Sequence, residues 1–145
     1  MPRTMSRFAL SLCAAALLTA SLASCGSDLL NLDQTWTLQT VEDANLPFTV
    51  PDASHNQVII SGVANLHSDN TYNMTFTGTA DGAAAQVGSD AGHWSITSST
   101  FTFQSTTTGG DYIAALVGST FRASVPGVLV GSTDANFDMV FSKAQ

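Results

Sequence analysis

Polar and apolar residues alternate with a period of two along the chain from about residue 34 onward. In the first such stretch Trp36 and Leu38 fall on one side, and in the last stretch Phe137, Met139 and Phe141 do the same. A period of two is typical of β-strands that bury one face and expose the other. This region is therefore predicted to consist mainly of half-buried strands.

Turn signals divide the region into eight predicted strands, each joined to the next by a hairpin or loop. The predicted buried positions, strand by strand, are Trp36 and Leu38; Val58, Ile60, Ala64 and Leu66; Tyr72, Met74, Phe76 and Gly78; Trp94 and Ile96; Phe101 and Phe103; a strand over residues 112–117; Phe121, Ala123 and Val125; and Phe137, Met139 and Phe141. The predicted loops are 42–56 with its two prolines, 81–92, 106–110, and 126–135, in which 128–130 are expected to form a short strand or a cover for the core.

No amphipathic pattern of helix length appears after residue 34, which argues against a parallel α/β fold. Short strands joined by tight turns suit either an up-and-down barrel or a sandwich of two sheets. Eight sequential strands favour the barrel, because closure removes the exposed edges that an open sheet would leave. The predicted fold class is all-β, an eight-stranded antiparallel up-and-down barrel over residues 34–145.

The beginning of the chain has a different pattern. Arg3 and Arg7 precede an apolar run over residues 8–20, which is the build of a secretory signal. Leu-Ala-Ser-Cys follows at residues 22–25. This tetrapeptide resembles the lipobox of bacterial lipoproteins.

The resemblance implies that residues 1–24 are cleaved off as a signal peptide, that Cys25 is acylated, and that residues 25–33 tether the barrel domain. The alternative is an ordinary secretory signal with Cys25 as an incidental thiol. A free cysteine is rare in exported chains, and the chain's other cysteine, Cys13, would leave with the signal. A transmembrane helix is disfavoured, because the apolar centre is well short of the roughly 20 residues that a span needs.

The chain has 145 residues and a formal net charge of −7. Loss of the signal removes two arginines, so that Arg122 and Lys143 would face all 11 carboxylates. Such a surface repels nucleic acid and anionic headgroups, so nucleic acid is not an expected partner and the acyl chains on Cys25 are expected to hold the protein on the membrane. Gly26 follows the lipidated cysteine, where enterobacterial lipoproteins of the inner membrane carry aspartate. An outer-membrane location in the cell envelope is therefore favoured over the inner membrane.

Several stretches of the predicted barrel resemble small bacterial lipocalin-like (calycin) lipoproteins. They are Gln34-Thr35-Trp36-Thr37-Leu38, Leu66-His67-Ser68-Asp69-Asn70-Thr71-Tyr72, Gly92-His93-Trp94-Ser95-Ile96 with Phe101-Thr102-Phe103, and Phe137-Asp138-Met139-Val140-Phe141. Lipocalins proper have glycine where this chain has Gln34. In calycins a basic side chain near the end of the last strand packs on the early tryptophan, which implies a contact of Lys143 with Trp36. The alternative for Lys143 is a frayed terminal residue in water.

The residues that carry chemistry are scattered along the chain. His55, His67 and His93 are not expected to converge on a metal ion, and no cofactor is predicted. Most carboxylates stand beside Gly, Asn, Ser or Thr, where aspartate is favoured in turns; these are Asp69, Asp81, Asp90, Asp111 and Asp134. The stretch 88–92 is not a nucleophile elbow. No clustered acid, base and nucleophile is found, and an enzyme is not expected.

The inward aromatic residues are the remaining candidates for a function. An eight-stranded barrel is either filled by its own side chains or holds one small ligand. The candidate ligand-binding residues are Tyr72, Phe76, Trp94, Phe103 and Phe121. Two hypotheses follow: a lipid-anchored module that binds a small hydrophobic molecule, or a filled barrel that acts as a structural or protein-interaction module of the envelope.

Overall fold

The computed structural model describes residues 33–145. Their elements are β1 (Gln34–Val41), β2 (Ala44–Asn45), β3 (Phe48–Thr49), β4 (Gln57–Leu66), β5 (Thr71–Ala80), β6 (Ala83–Thr97), β7 (Thr100–Ser105), β8 (Asp111–Val117), β9 (Thr120–Pro126), a 3-10 helix η1 (Gly127–Val130) and β10 (Asn136–Lys143). The predicted signal peptide 1–24, the predicted lipidation at Cys25 and all of the tether except Asp33 lie outside the described residues. Among residues 33–145, no helix has the length and apolar character needed to cross a membrane.

The eight long strands close into one antiparallel barrel. Hydrogen-bonded neighbours follow the order β1, β10, β9, β8, β7, β6, β5, β4, and β1 also pairs with β4. The two-residue strands β2 and β3 add short pairings to β1 and β4. Closure confirms the predicted fold class and decides against the sandwich. The barrel is compatible with a lipocalin-like fold.

Alternation along the strands sorts side chains between the interior and the outer surface, as predicted for most of the barrel. In β1 the indole of Trp36 and the side chain of Leu38 are buried. The predicted inward residues of β5, β9 and β10 are likewise buried. Burial of one face of every strand is what the hydrophobic effect requires of a barrel with a dry interior.

Strand β4 departs from strict alternation, and the prediction for its first half was wrong. Ile59 pairs with Gly78 and Ser61 pairs with Thr77, so that Ile60 has no direct partner and forms a β-bulge. The extra residue exchanges the two faces of the strand. As a result Ile59 is fully buried whereas Ile60 is 51% exposed, and Val58 is only partly buried.

The predicted loop 81–92 was also wrong. Only Asp81 and Gly82 form a turn, both with positive φ, and residues 83–93 pair with β5, with one register shift at Val87. Alanine, glycine and serine give this half of β6 a weak strand pattern. Its pairing is decided by the strong strand β5 beside it, a tertiary effect that outweighs local propensity.

The barrel has two ends that differ in their connections. We call the tether end the one where β1 begins; it carries the turns at residues 67–70, 98–99 and 118–119 and the end of β10. We call the other the loop end; it carries the connections 42–56, 81–82, 106–110 and 127–135. Helix η1 lies across the loop end and buries Leu129 and Val130. Of the two predictions for residues 128–130, the cover is therefore confirmed and the short strand is wrong.

Candidate functional site

The five predicted ligand-binding residues all point into the barrel. Their side chains are buried, on four different strands: Tyr72 and Phe76 on β5, Trp94 on β6, Phe103 on β7 and Phe121 on β9. Tyr72 meets Phe103 edge to face with ring centroids 4.9 Å apart, and Phe103 lies 6.0 Å from Phe121. Whether they contact a ligand stays a prediction, but their convergence in one interior is a property of the fold.

These five rings belong to a larger connected network. Its members are Trp36, Tyr72, Phe76, Trp94, Phe101, Phe103, Tyr112, Phe121 and Phe141. Neighbouring centroids are between 4.8 and 6.5 Å apart, which is the range of direct aromatic contact. The rings pack on one another from strand to strand across the interior.

Trp36 lies near the tether end of this network. Its ring is 1% exposed and contacts Phe121 at 5.0 Å. Its indole N–H is buried without a hydrogen-bond partner among the described residues. Lys143 is its direct neighbour in the register of β1 and β10, and is exposed. The register therefore brings the two residues to the same end, and the predicted contact between the ammonium and the indole stays a prediction.

Asp90 is the residue that sequence reasoning placed wrongly. It was expected in a solvated turn, but it lies in the middle of β6 and is 2% exposed. The Tyr72 hydroxyl donates to Oδ2 at 2.6 Å, the Tyr112 hydroxyl donates to the same oxygen at 2.9 Å, and the Ser105 hydroxyl donates to Oδ1 at 2.6 Å. Three short hydroxyl bonds thus surround one carboxylate inside the barrel.

Glycines on either side of Asp90 make room for these partners. A Cβ at Gly92 would lie 1.9 Å from the carbonyl oxygen of Gln104 and 3.2 Å from the Tyr72 ring. A Cβ at Gly88 would lie 2.3 Å from the carbonyl oxygen of Leu129. The Gly-x-Asp-x-Gly spacing lets β7 and helix η1 approach β6 closely on the face that carries the carboxylate.

The buried cluster has consequences for ionisation. Burial, followed by the hydrogen bond to Asp90, raises the pKa of Tyr72 well above its usual range. Burial, followed by the neighbouring Tyr72 hydroxyl and the charge of Asp90, likewise raises the pKa of Tyr112 above its usual range. Within residues 33–145, His55, His67 and Arg122 contact other carboxylates, and Asp90 takes part in none of these pairs. The hydroxyl donors therefore provide its hydrogen-bonded environment.

The cluster ties four strands together. Asp90 and its donors come from β5, β6, the end of β7 and β8, and Ser105 also accepts the backbone N–H of Thr108 in the loop that follows. Because both carboxylate oxygens are occupied by donors, the arrangement is that of an internal hydrogen-bond junction.

The histidines are placed apart from this cluster. His55 contacts Asp81 at 2.9 Å beside the loop end, and the His67 ring contacts Asn73 at 3.0 Å at the tether end. His93 pairs with Gln104 on the outer surface of β6 and β7. Within the part of the chain that the structure describes, no three His, Cys, Asp or Glu residues are grouped closely enough to hold a metal ion.

Comparison of the chain with protein-family models, with curated proteins and with solved structures found no significant match. The class of protein is therefore defined by the fold and its interior alone. It is a closed eight-stranded antiparallel barrel whose interior holds a connected network of aromatic side chains and one hydrogen-bonded carboxylate.

Proposed function

We propose that the protein is a lipid-anchored lipoprotein of the bacterial cell envelope whose filled, lipocalin-like barrel acts as a structural or protein-interaction module. The observation that carries the proposal is the network of nine aromatic rings packed on one another inside the barrel. A carrier that encloses its ligand needs an internal space of about 300–1,000 Å³. The aromatic side chains already contact one another across the interior. Recognition of a partner would then take place on the outer surface of the barrel.

The outer surface of β8 supports an interaction role. Ile113 and Val117 point outward and are 60% and 73% exposed. Their neighbours across β7 and β9 are Thr102 and Thr120, which are uncharged. Ala115 between them pairs with Arg122 of β9, whose guanidinium forms ion pairs with Asp43 and Asp138. An exposed apolar pair beside it is a surface that another protein can cover.

The lipid anchor in this proposal is supported by the sequence Leu-Ala-Ser-Cys at residues 22–25. It predicts that Cys25→Ala releases the protein from the membrane fraction or leaves it unprocessed. Cys13→Ala is the matched control, since this thiol lies within the proposed signal peptide, and that variant should be processed and retained like the parent. Normal acylation and membrane retention of the Cys25→Ala protein would contradict the anchor.

A second function, carriage of a small hydrophobic molecule, is favoured by one observation. The buried indole N–H of Trp36 has no acceptor among the described residues, and a buried donor without a partner costs about 1–3 kcal/mol. A ligand that carries a carbonyl, ether or carboxylate oxygen would supply the missing acceptor. Such a ligand would contact the aromatic residues that sequence analysis selected.

Native mass spectrometry separates the two functions. The processed protein is purified gently from its envelope, its mass is measured, and any bound compound is extracted with organic solvent. The filled barrel predicts the mass of the acylated chain and nothing more. A discrete additional mass that disappears on denaturation, and that is lost when Trp36 is replaced by phenylalanine, would instead establish the carrier.

A further inference from the structure

The carboxylates of the barrel are divided unequally between its two ends. The loop end and the strand residues next to it carry Glu42, Asp43, Asp52, Asp81, Asp111, Asp134 and Asp138. The tether end carries Asp33 and Asp69, and Asp90 is buried inside. The barrel is therefore a polarised body with one strongly acidic end.

The two cations of the described residues do not remove this difference. Arg122 forms ion pairs with Asp43 and Asp138, which neutralises part of the loop end. Lys143 lies at the tether end, where its positive charge offsets one of the two carboxylates there. The loop end keeps a clear excess of negative charge, whereas the tether end is close to neutral.

The N-terminal segment leaves the barrel from the neutral end. Asp33 accepts the backbone N–H of Ser68 at 2.9 Å, and Gln34 pairs with Leu66 at the start of β1. These contacts fix the last residue of the tether beside the 67–70 turn. The route from this point to Cys25 therefore begins at the tether end.

The length of the tether restricts how the barrel can be turned. Residues 26–33 reach at most about 28 Å when fully extended. A ten-residue strand such as β5 extends about 33 Å along its own direction, or roughly 25 Å along the axis of a barrel with tilted strands. To place the loop end on the membrane, the tether would have to run nearly straight along the whole barrel.

The residues that project from the tether end suit a lipid surface. Two of its three turns contain only uncharged residues, Ser98, Ser99, Gly118 and Ser119, all exposed, and the third, 67–70, carries one carboxylate, Asp69. Small, uncharged groups approach anionic headgroups without the repulsion that the acidic end would meet.

We propose that the tether end is a membrane-facing surface: the barrel stands on the phospholipid bilayer with its 67–70, 98–99 and 118–119 turns at the headgroups and its acidic loop end directed away. The inference rests on the lipid anchor proposed above, and it adds an orientation that the anchor alone does not specify. In this orientation the loop end is the part of the protein that a partner in the envelope meets first.

The test uses the full, acylated protein with one introduced thiol at either end. Ser119→Cys labels the tether end and Thr107→Cys labels the loop end; both positions are exposed in turns or loops. Each protein carries a thiol-linked fluorophore and is inserted into vesicles of phosphatidylcholine with a minor fraction of phosphatidylglycerol and a headgroup-linked quencher. Because the ends lie a strand length apart, the label at 119 should be quenched about twofold or more compared with the label at 107.

A second pair, Ser99→Cys and Thr133→Cys, repeats the comparison on different turns and protects the test against a variant that folds poorly. Equal quenching at the two ends, or stronger quenching at the loop end, in protein that floats with the vesicles would overturn the orientation while leaving the anchor intact. Failure of the acylated protein to float would contradict the anchor itself.

Discussion

Asp90 shows how a single buried charge is accommodated in this barrel. Moving a carboxylate into an apolar interior costs several kcal/mol unless its oxygens are hydrogen-bonded. Tyr72, Tyr112 and Ser105 supply three hydroxyl donors at 2.6 to 2.9 Å, and hydrogen bonds to charged groups are the stronger kind. The tyrosines are therefore expected to act through their hydroxyl groups as well as through their rings.

Replacing Tyr112 by phenylalanine removes one hydroxyl group and tests its contribution to stability. The ring can keep its stacked contact with Phe103 at 5.2 Å, but Asp90 stays buried with one donor fewer. The expected loss in the free energy of unfolding is about 1.5–3 kcal/mol, measured by urea denaturation. Asp111→Asn is the control, because this exposed carboxylate should change stability by less than about 0.5 kcal/mol. Equal stability of the Tyr112→Phe and parent proteins would show that the hydroxyl bond contributes nothing.

The position of Asp90 could not be found from the sequence around it. An aspartate between serine and alanine, with glycines two residues away on both sides, has the local pattern of a turn. Its donors stand 15 to 22 residues away along the chain, so only the pairing of strands brings them together. The aromatic interior was predictable, in contrast, because Tyr72, Phe103 and Phe121 each occupy the inward parity of a clear strand.

At the scale of the element, strand β4 shows why periodicity alone fails at a bulge. A strict period of two put Val58 and Ile60 with Ala64 and Leu66, because all four are apolar at even spacing. The unpaired residue at Ile60 shifts the first half of the strand by one position. Two adjacent isoleucines gave no local signal for which of them faces inward. The contact of Ile59 with the barrel interior is set by the pairing with Gly78 on β5.

The bulge predicts a contrast between two neighbouring residues of the same type. Ile59→Ala should lower the free energy of unfolding by about 2–4 kcal/mol, because it removes buried methyl groups and leaves a cavity. Ile60→Ala should lower it by about 1 kcal/mol or less, because about half of that side chain is in water and no cavity is left in the core. Chemical denaturation of both variants gives the comparison. A larger loss for Ile60→Ala than for Ile59→Ala would place the bulge elsewhere.

At the scale of the whole molecule, closure of the barrel makes strands that are far apart in the sequence stabilise one another. Strand β1 pairs with both β4 and β10, so the first and last parts of the domain stabilise each other. The tyrosines at the carboxylate cluster are enclosed by this closed sheet. Their ionisation should therefore follow the unfolding of the entire barrel and not a local opening.

Alkaline titration measures the ionisation of the two buried tyrosines directly, because Tyr72 and Tyr112 are the only tyrosines of the chain. Burial raises both pKa values above the ordinary value near 10, so the fold favours the neutral phenols. Their contribution to stability is complete below that ordinary pKa and is lost as the pH rises above it. Tyrosinate absorbance should therefore appear only together with the loss of the far-ultraviolet circular dichroism of the strands. Ionisation centred near pH 10 with unchanged circular dichroism would contradict the buried cluster.

The central claim is that the barrel is filled by its own aromatic side chains. A crystal structure of residues 26–145 under xenon pressure tests it most directly, since an apolar cavity of about 150 Å³ takes up xenon. We predict that the rings from Trp36 to Phe141 stay in mutual contact and that no xenon atom lies among them. Xenon or ligand density between Phe103 and Phe121 would contradict the filled interior and establish a barrel built to hold a small hydrophobic molecule.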